Sequence, residues 1–404
     1  MSSREVDFLV VGAGIIGLTI ARELRVQFPD ATILIIEKEK DVGLHASGRN
    51  SGVLHAGFYY SADSLKAKFT RDGNKALTDY CLEHNLPINR CGKVVVARNA
   101  LELEGIYELK KRGDNNGVLL NLIDEKELAD IEPNAKTHEK ALYSPTTSTV
   151  DPLEVCITLV TELRSKHIDI AFANPFIARK NGTIQTEKYS VTCKYFINAA
   201  GSYADKVAHQ FGVGKNYTLI PFKGLYLKYH DDSLIQKHIY PVPNLKFPFL
   251  GVHFTKTAYG KVKIGPTAVP AFWRENYGGV SNFKLGEICE VLKEEAKLFI
   301  LNSFNFRDFA FEEMKKYSRE YFIKQAAELV KHLDVNGFGD YGHPGIRAQL
   351  LDKRTNQLVQ DFIVEEEENS LHVLNAVSPA FTCSLVFAQY IVSRIKERGT
   401  HATK

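Results

Sequence analysis

The sequence predicts an α/β protein that combines a Rossmann-like nucleotide-binding domain with an α+β domain on a mixed, largely antiparallel sheet. Three observations carry that expectation. Residues Asp7 to Glu37 spell strand, glycine loop, helix and strand. Residues Leu219 to Thr267 are strand-rich, with aromatic and β-branched residues between Gly and Pro breaks. Residues Phe283 to His332 switch to helical periodicity, with Leu292, Ala296, Phe299 and Ile300, then Phe322, Ala326, Leu329 and Val330 as the apolar positions.

In chain order, Phe8-Leu9-Val10-Val11 is the continuous apolar run of a strand covered on both faces. Gly12-Ala13-Gly14-Ile15-Ile16-Gly17 follows, then Leu18, Ile20, Ala21 and Leu24 at helical spacing. A second β-branched run, Thr32 to Ile36, ends in Glu37. Gly12 permits the tight turn, Gly14 lets backbone amides approach a pyrophosphate, and Gly17 allows close helix–strand packing. The helix N-terminus presents N–H groups to phosphates, and Glu37 can accept from both hydroxyls of an adenosine ribose. FAD and NAD share this device, so the unit alone leaves both open.

Helices are expected over Ser64–Asn85, Ala100–Arg112 and Asp151–His167, the last opened by Asp151-Pro152. Phe176 to Arg179, the turn Asn181-Gly182 and alternating Thr183 to Phe196 predict a β-hairpin. Its second strand runs into Ile197-Asn198-Ala199-Ala200-Gly201, and Ala380 to Ile395 predicts a closing helix.

The 404 residues are 44% hydrophobic and 25% charged, ordinary globular usage and long enough for two domains. A net charge of +3 gives no electrostatic case for nucleic acid. The longest apolar run, Phe8 to Ala21, is broken by Gly12, Gly14 and Gly17, so no membrane span is expected, and the N-terminus has no signal-peptide pattern. The six cysteines show no CxxC spacing, which argues for reduced thiols and against a metal site. A cytoplasmic location is the corresponding expectation.

His45 to Tyr60 is a polar, Gly-rich loop where an NAD dehydrogenase would continue alternating strands and helices. Its hydroxyls and amides suit a second, extended part of a cofactor. Here the sequence resembles the FAD-dependent oxidoreductases of the D-amino-acid-oxidase superfamily, and within it the L-2-hydroxyglutarate dehydrogenase/oxidase family. The blocks that carry the resemblance are GAGIIG at Gly12–Gly17, Gly48–Tyr60, Asn198–Gly201 with Ala204-Asp205, and Ile239–Pro243. Phe247–Phe254, Gly345–Gln349 and Leu374–Ala380 complete the set, in the family's order.

The resemblance implies interleaving: an FAD-binding domain from 1–90, 150–215 and 336–404, and a substrate-binding domain from 91–149 and 216–335. It implies FAD contacts at Gly12, Gly14, Ile15, Ile16, Gly17, Glu37 and Lys38, and in the loop at Ser47, Arg49, Asn50, Ser51 and Gly52. Ala200, Gly201, Gly345, Ser378, Ala380 and Thr382 complete the expected contacts. The dipole of the last helix would stabilise negative charge on reduced flavin. Cys383 is expected as a buried helix thiol rather than a covalent flavin link.

Oxidation of a 2-hydroxy acid needs a base for the hydroxyl proton and a cation for the carboxylate. His55 and His253, inside family-like blocks, are the base candidates. Arg347 resembles the superfamily arginine that grips a carboxylate with two prongs, and Lys223 is a second cation for a dicarboxylate. The implied reaction takes L-2-hydroxyglutarate to 2-oxoglutarate, with oxygen or a membrane quinone as electron acceptor. Two departures are notable: Leu225 stands where the family carries an acid, and Phe381-Thr382-Cys383 replaces smaller residues. Leu225 leaves amine or glycerol 3-phosphate oxidation as a rival, and a flavin-binding module without turnover is a second. The basic C-terminal end (Arg394, Lys396, Arg398, Lys404) offers a peripheral contact with the inner face of a membrane.

Overall fold

A computed structural model describes residues 2–243 and 250–401. Two expectations therefore lie outside the described residues: Phe247-Pro248-Phe249 of one family-like block, and Lys404. The chain forms two compact units. The first comprises Met1–Asn50, Pro152–Leu219 and Ala348–Lys404, the second Ser51–Asp151 and Ile220–Arg347.

The first unit is a doubly covered sheet. The strand Ser3–Val11 lies parallel to Ile33–Ile36 on one side and to Ser190–Asn198 on the other, with Val10 facing Ile35 and Ile197. Asp169–Ala171 extends the parallel order beyond Ile33–Ile36, and Ser370–Asn375 pairs in parallel with the end of Ser190–Asn198. Leu9, Leu34, Phe196 and Val207 are buried together on the sheet. The helix Ile15–Gln27 packs on the helices Pro152–Ser165 and Ala380–His401.

The expected hairpin forms, with Asn181 and Gly182 both at positive φ in its turn. Its second strand is interrupted, however: Thr183–Thr186 and Ser190–Asn198 are separate antiparallel strands. Thr186 N donates to Tyr189 O and Tyr189 N to Thr186 Oγ1, closing a second turn where Glu187-Lys188 break the alternation.

The second unit carries an eight-stranded mixed sheet. Lys93–Val96 is parallel to His238–Pro241, while its other neighbour, Lys140–Ser144, is antiparallel. His253–Lys256 and Val262–Gly265 continue antiparallel beyond His238–Pro241. Side-chain alternation sends Val94 and Val96 into a core with Ile239, Phe254 and Phe322. Val95 and Ala97 face the other way, into a core with Phe58, Tyr59, Ile106 and Tyr240. The helix Leu65–Glu83 is capped by Ser64, whose side chain accepts from Ala67 N.

Unit membership differs from the expected boundaries by a few residues at 150–151 and 216–219, and by longer stretches at two places. Residues 51–90 and 336–347, expected with the FAD-binding portion, belong to the second unit. For the first of these the reason is pairing: Val53–Leu54 and Ile88–Asn89 both pair with Ser148–Val150 inside that unit.

Candidate functional site

The nucleotide site of the first unit is assembled at the end of Ser3–Val11. Gly12 has φ +104°, and a Cβ there would collide with Ala199 O, so the turn is closed to any side chain. A Cβ at Gly14 would lie 3.1 Å from Ser47 Oγ, and one at Gly17 would collide with Gly12 O. The helix begins at Ile15-Ile16 with Gly14 as N-cap and no side-chain cap. Ile15 N donates to Ser47 Oγ at 2.9 Å, which ties the polar loop to the helix start.

Glu37 accepts from Ala13 N through Oε2 (2.8 Å) and from Glu39 N through Oε1 (2.9 Å). It thus braces the glycine loop, and each carboxylate oxygen has a second lone pair for a ribose hydroxyl. Lys38 makes a close ion pair with Glu39 and contacts His45 Nε2 at 2.7 Å, so its charge is engaged by side chains. Burial alone would raise the Glu39 carboxyl, but the hydrogen bonds from Lys38 and His45 outweigh it and bring the group to about 2.

Arg49 Nε donates to Leu44 O at 2.6 Å, and Asn50 Nδ2 donates to Ala46 O and Ser47 O; both shape the loop. Ala200 follows a backbone bond from Ala199 N to Val11 O, and a Cβ at Gly201 would meet nothing within 4 Å. Ser378 precedes the last helix, in which Ala380, Thr382 and Cys383 are buried. Ser51, Gly52 and Gly345 lie in the second unit, where Val150 N donates to Gly52 O at 2.9 Å and Gly345 begins the strand Gly345–Asp352. A side-chain-free turn, an uncapped helix start and a braced acid fit the pyrophosphate and ribose of a dinucleotide.

The second unit brings His55, His253 and Arg347 into one electrostatic neighbourhood. His55 and His253 are buried, at 6% and 3% exposure. Burial pushes His55 well below its ordinary value, with the charges of Lys93, Arg347 and His238 adding to it. Burial also pushes His253 well below; a bond to Gly251 opposes, while Arg347, His55 and Lys93 reinforce. Both imidazoles are therefore neutral at physiological pH. His253 Nδ1 lies 2.9 Å from Gly251 O. A carbonyl only accepts, so Nδ1 carries the hydrogen and Nε2 keeps its lone pair. The His253 ring stacks on Tyr240 with centroids 3.6 Å apart.

Lys223 has a different setting. Its Nζ donates to Asn276 Oδ1 at 3.0 Å, and burial lowers its pKa. Two residues of this neighbourhood escaped sequence reasoning. Lys93 acts on both histidines, and Lys263, above the Tyr226 ring at 4.6 Å, is lowered by burial to about 8. The available signal was a lysine at each strand-like run, Lys93-Val94-Val95-Val96 and Val262-Lys263-Ile264, where apolar residues dominate.

A dinucleotide-binding α/β unit, and a mixed-sheet unit with neutral imidazoles beside an arginine, define a flavin-dependent oxidoreductase. The chain belongs to the FAD dependent oxidoreductase family, which it matches over residues 7–394. It is 35% identical to the mitochondrial L-2-hydroxyglutarate dehydrogenase of Nematostella vectensis, covering 98% of this chain and 92% of that one. It is 30% identical to the L-2-hydroxyglutarate dehydrogenase of Escherichia coli, over 96% and 93% of the respective chains. Among solved structures, the L-alpha-glycerophosphate oxidase of Mycoplasma pneumoniae aligns with a TM-score of 0.72 at 22% identity, over 97% and 94%.

Proposed function

We propose that this oxidoreductase converts L-2-hydroxyglutarate to 2-oxoglutarate. The observation that carries the reading is the pair of buried, neutral histidines beside Arg347, a base and a cation in one setting. The relatives' substrate is a dicarboxylate with one hydroxyl, which needs both. FAD, when bound, supplies the acceptor for the C2 hydride. Arg347 holds a carboxylate with its planar fork. His253 Nε2, with its tautomer set by Gly251, takes the hydroxyl proton, and His55 is the alternative base. Burial of both rings excludes water from the proton-transfer step.

An anaerobic panel tests this. L-2-Hydroxyglutarate should bleach the flavin absorbance near ~450 nm, a property of the cofactor. Bleaching by an amine or glycerol 3-phosphate instead would overturn the substrate, as Leu225 allows. No bleaching by any compound would favour the flavin-binding module.

The electron acceptor reads as oxygen or a membrane quinone, and one surface favours quinone. The helix Leu285–Leu301 buries Val291 and Leu298 but exposes Leu285, Leu292, Phe299 and Ile300. The same helix carries Glu287, Glu290, Glu294 and Glu295 against Lys293 and Lys297, so an interfacial contact would rest on its apolar residues and not on attraction to anionic lipid. The basic C-terminal end is a poorer candidate: Arg394 and Arg398 both pair with Glu366, and Lys396 donates to Gln27. Among the described residues no helix is long and apolar enough to cross a membrane. Flotation with zwitterionic phosphatidylcholine vesicles should carry the wild type up and leave Phe299→Glu behind; equal flotation would remove this surface.

A further inference from the structure

Lys93 is fully buried on the strand Lys93–Val96, on the side that also carries Val95. Its Nζ stands over three aromatic rings, with centroids at 4.5 Å for Phe58, 4.6 Å for Tyr59 and 4.8 Å for Tyr240. Among the described residues no hydrogen-bond acceptor reaches that nitrogen. A buried amine without a counter-anion is costly, and a structural role would be met by methionine or leucine at lower cost. Three ring faces stabilise the ammonium form in particular, because the attraction acts on the charge.

Lys93 has basic and polar neighbours. His238 faces it from the parallel neighbour strand, and Ser144, which carries no charge, faces it from the antiparallel one. Tyr59 and Tyr240 supply cage walls. The charges acting on His55 are Lys93, Arg347 and His238, and those on His253 are Arg347, His55 and Lys93. Those on His238 are Lys93, Lys263 and Lys256. Every one is a cation or another imidazole.

We propose that Lys93 is a positioning residue for proton transfer: its caged ammonium, which touches the Tyr240 ring stacked on His253, holds the first proton to enter this cluster, and so adds to burial in keeping His55 and His253 neutral and able to accept the substrate hydroxyl proton. Like charges sharing a low-dielectric site cannot all be protonated together. The cage decides which group wins. Burial lowers Lys93 to about 7, and burial first, with the neighbouring cations second, holds both imidazoles well below their ordinary 6.5. In turnover the O–H proton passes to imidazole nitrogen and the oxygen pair closes the C=O bond, while FAD, when bound, would supply the acceptor for the C2–H pair. Lys93 changes no bond; its charge sets which nitrogen is empty beforehand.

The inference rests on the 2-hydroxy-acid reading of the same site, and the two fail separately. If the wild type is not reduced by L-2-hydroxyglutarate, that reading fails, and the experiment proceeds with whichever panel compound reduces it. With a reducing substrate, kcat/KM is measured against pH for wild type, Lys93→Met and Lys93→Arg holoenzymes. Removing the charge frees the histidines to protonate, so the acid limb of Lys93→Met should move up by about one pH unit. Lys93→Arg should keep the wild-type limb. An unmoved limb in Lys93→Met, or the same upward shift in Lys93→Arg, overturns the proposal. A variant that does not fold leaves a second measurement on the wild-type holoenzyme. In protein labelled with 15N at histidine, His55 and His253 should stay neutral through the pH range in which a free imidazole takes up its proton; either ring titrating near its ordinary value overturns it.

Discussion

At the scale of single residues, the proposed reading assigns holding and proton transfer to different side chains. Arg347 offers a fork that a lysine cannot reproduce. Arg347→Lys should therefore raise KM roughly 10- to 100-fold, the loss of a charge-assisted hydrogen bond, with a smaller effect on kcat. Steady-state kinetics across substrate concentration checks this; a kcat-only defect would remove Arg347 from carboxylate binding. His253→Ala should instead lower kcat by about 10²–10⁴ if it is the base. His55→Ala retaining wild-type kcat would leave His253 alone in that role.

The candidates the sequence offered sat in short blocks with chemical meaning, such as the glycine loop, Glu37, His55, His253 and Arg347, and local pattern sufficed to single them out. Lys93 was not among them, because a lysine beside Val94-Val95-Val96 reads as a strand end until the aromatic rings close over it. Lys223 shows the converse. Its burial and its bond to Asn276 arise from chain segments 53 residues apart, which no local pattern reports.

At the scale of elements, the first strand, glycine loop and helix act as one device. Gly12 combines φ +104° with an approach to Ala199 that excludes Cβ. Gly12→Ala should cost about 1–3 kcal/mol in backbone strain and reduce the flavin retained on purification. The ratio of flavin to protein absorbance checks it, with circular dichroism separating lost cofactor from lost fold. A variant with full flavin content would show that the turn relaxes without penalty. Periodicity located the helices well: Leu65–Glu83, Ala100–Asn115 and Pro152–Ser165 lie within a few residues of the expected spans. Alternation did less well at Thr183–Phe196. Glu187 and Lys188 are both polar and the apolar positions pass from Ile184 to Tyr189 and Val191, a change of parity where Thr186 turns the chain through its own side chain.

At the scale of the whole molecule, buried neutral histidines tie stability to pH. Burial lowers His238 to about 3 and His372 to about 4, and it drives His55 and His253 well below 6.5. An unfolded chain takes up a proton at each of these rings as pH falls through 6.5, while the native chain does not. The unfolded state then binds more protons, so stability falls with decreasing pH between 6.5 and the native values. For His238 the loss at pH 5 is about 2 kcal/mol, from 1.5 pH units at 1.36 kcal/mol each. Lys93, lowered to about 7, works in the same sense at higher pH, since between 7 and 10.5 the unfolded lysine holds a proton that the native one has shed. The unfolding midpoint in urea should therefore rise from pH 5 to pH 7.5. His238→Gln should flatten that rise below pH 6.5, since it removes one ring that protonates only on unfolding. A midpoint independent of pH over that range would mean that these rings are charged in the native protein, and with that the neutral base on which hydroxyl deprotonation depends would be lost.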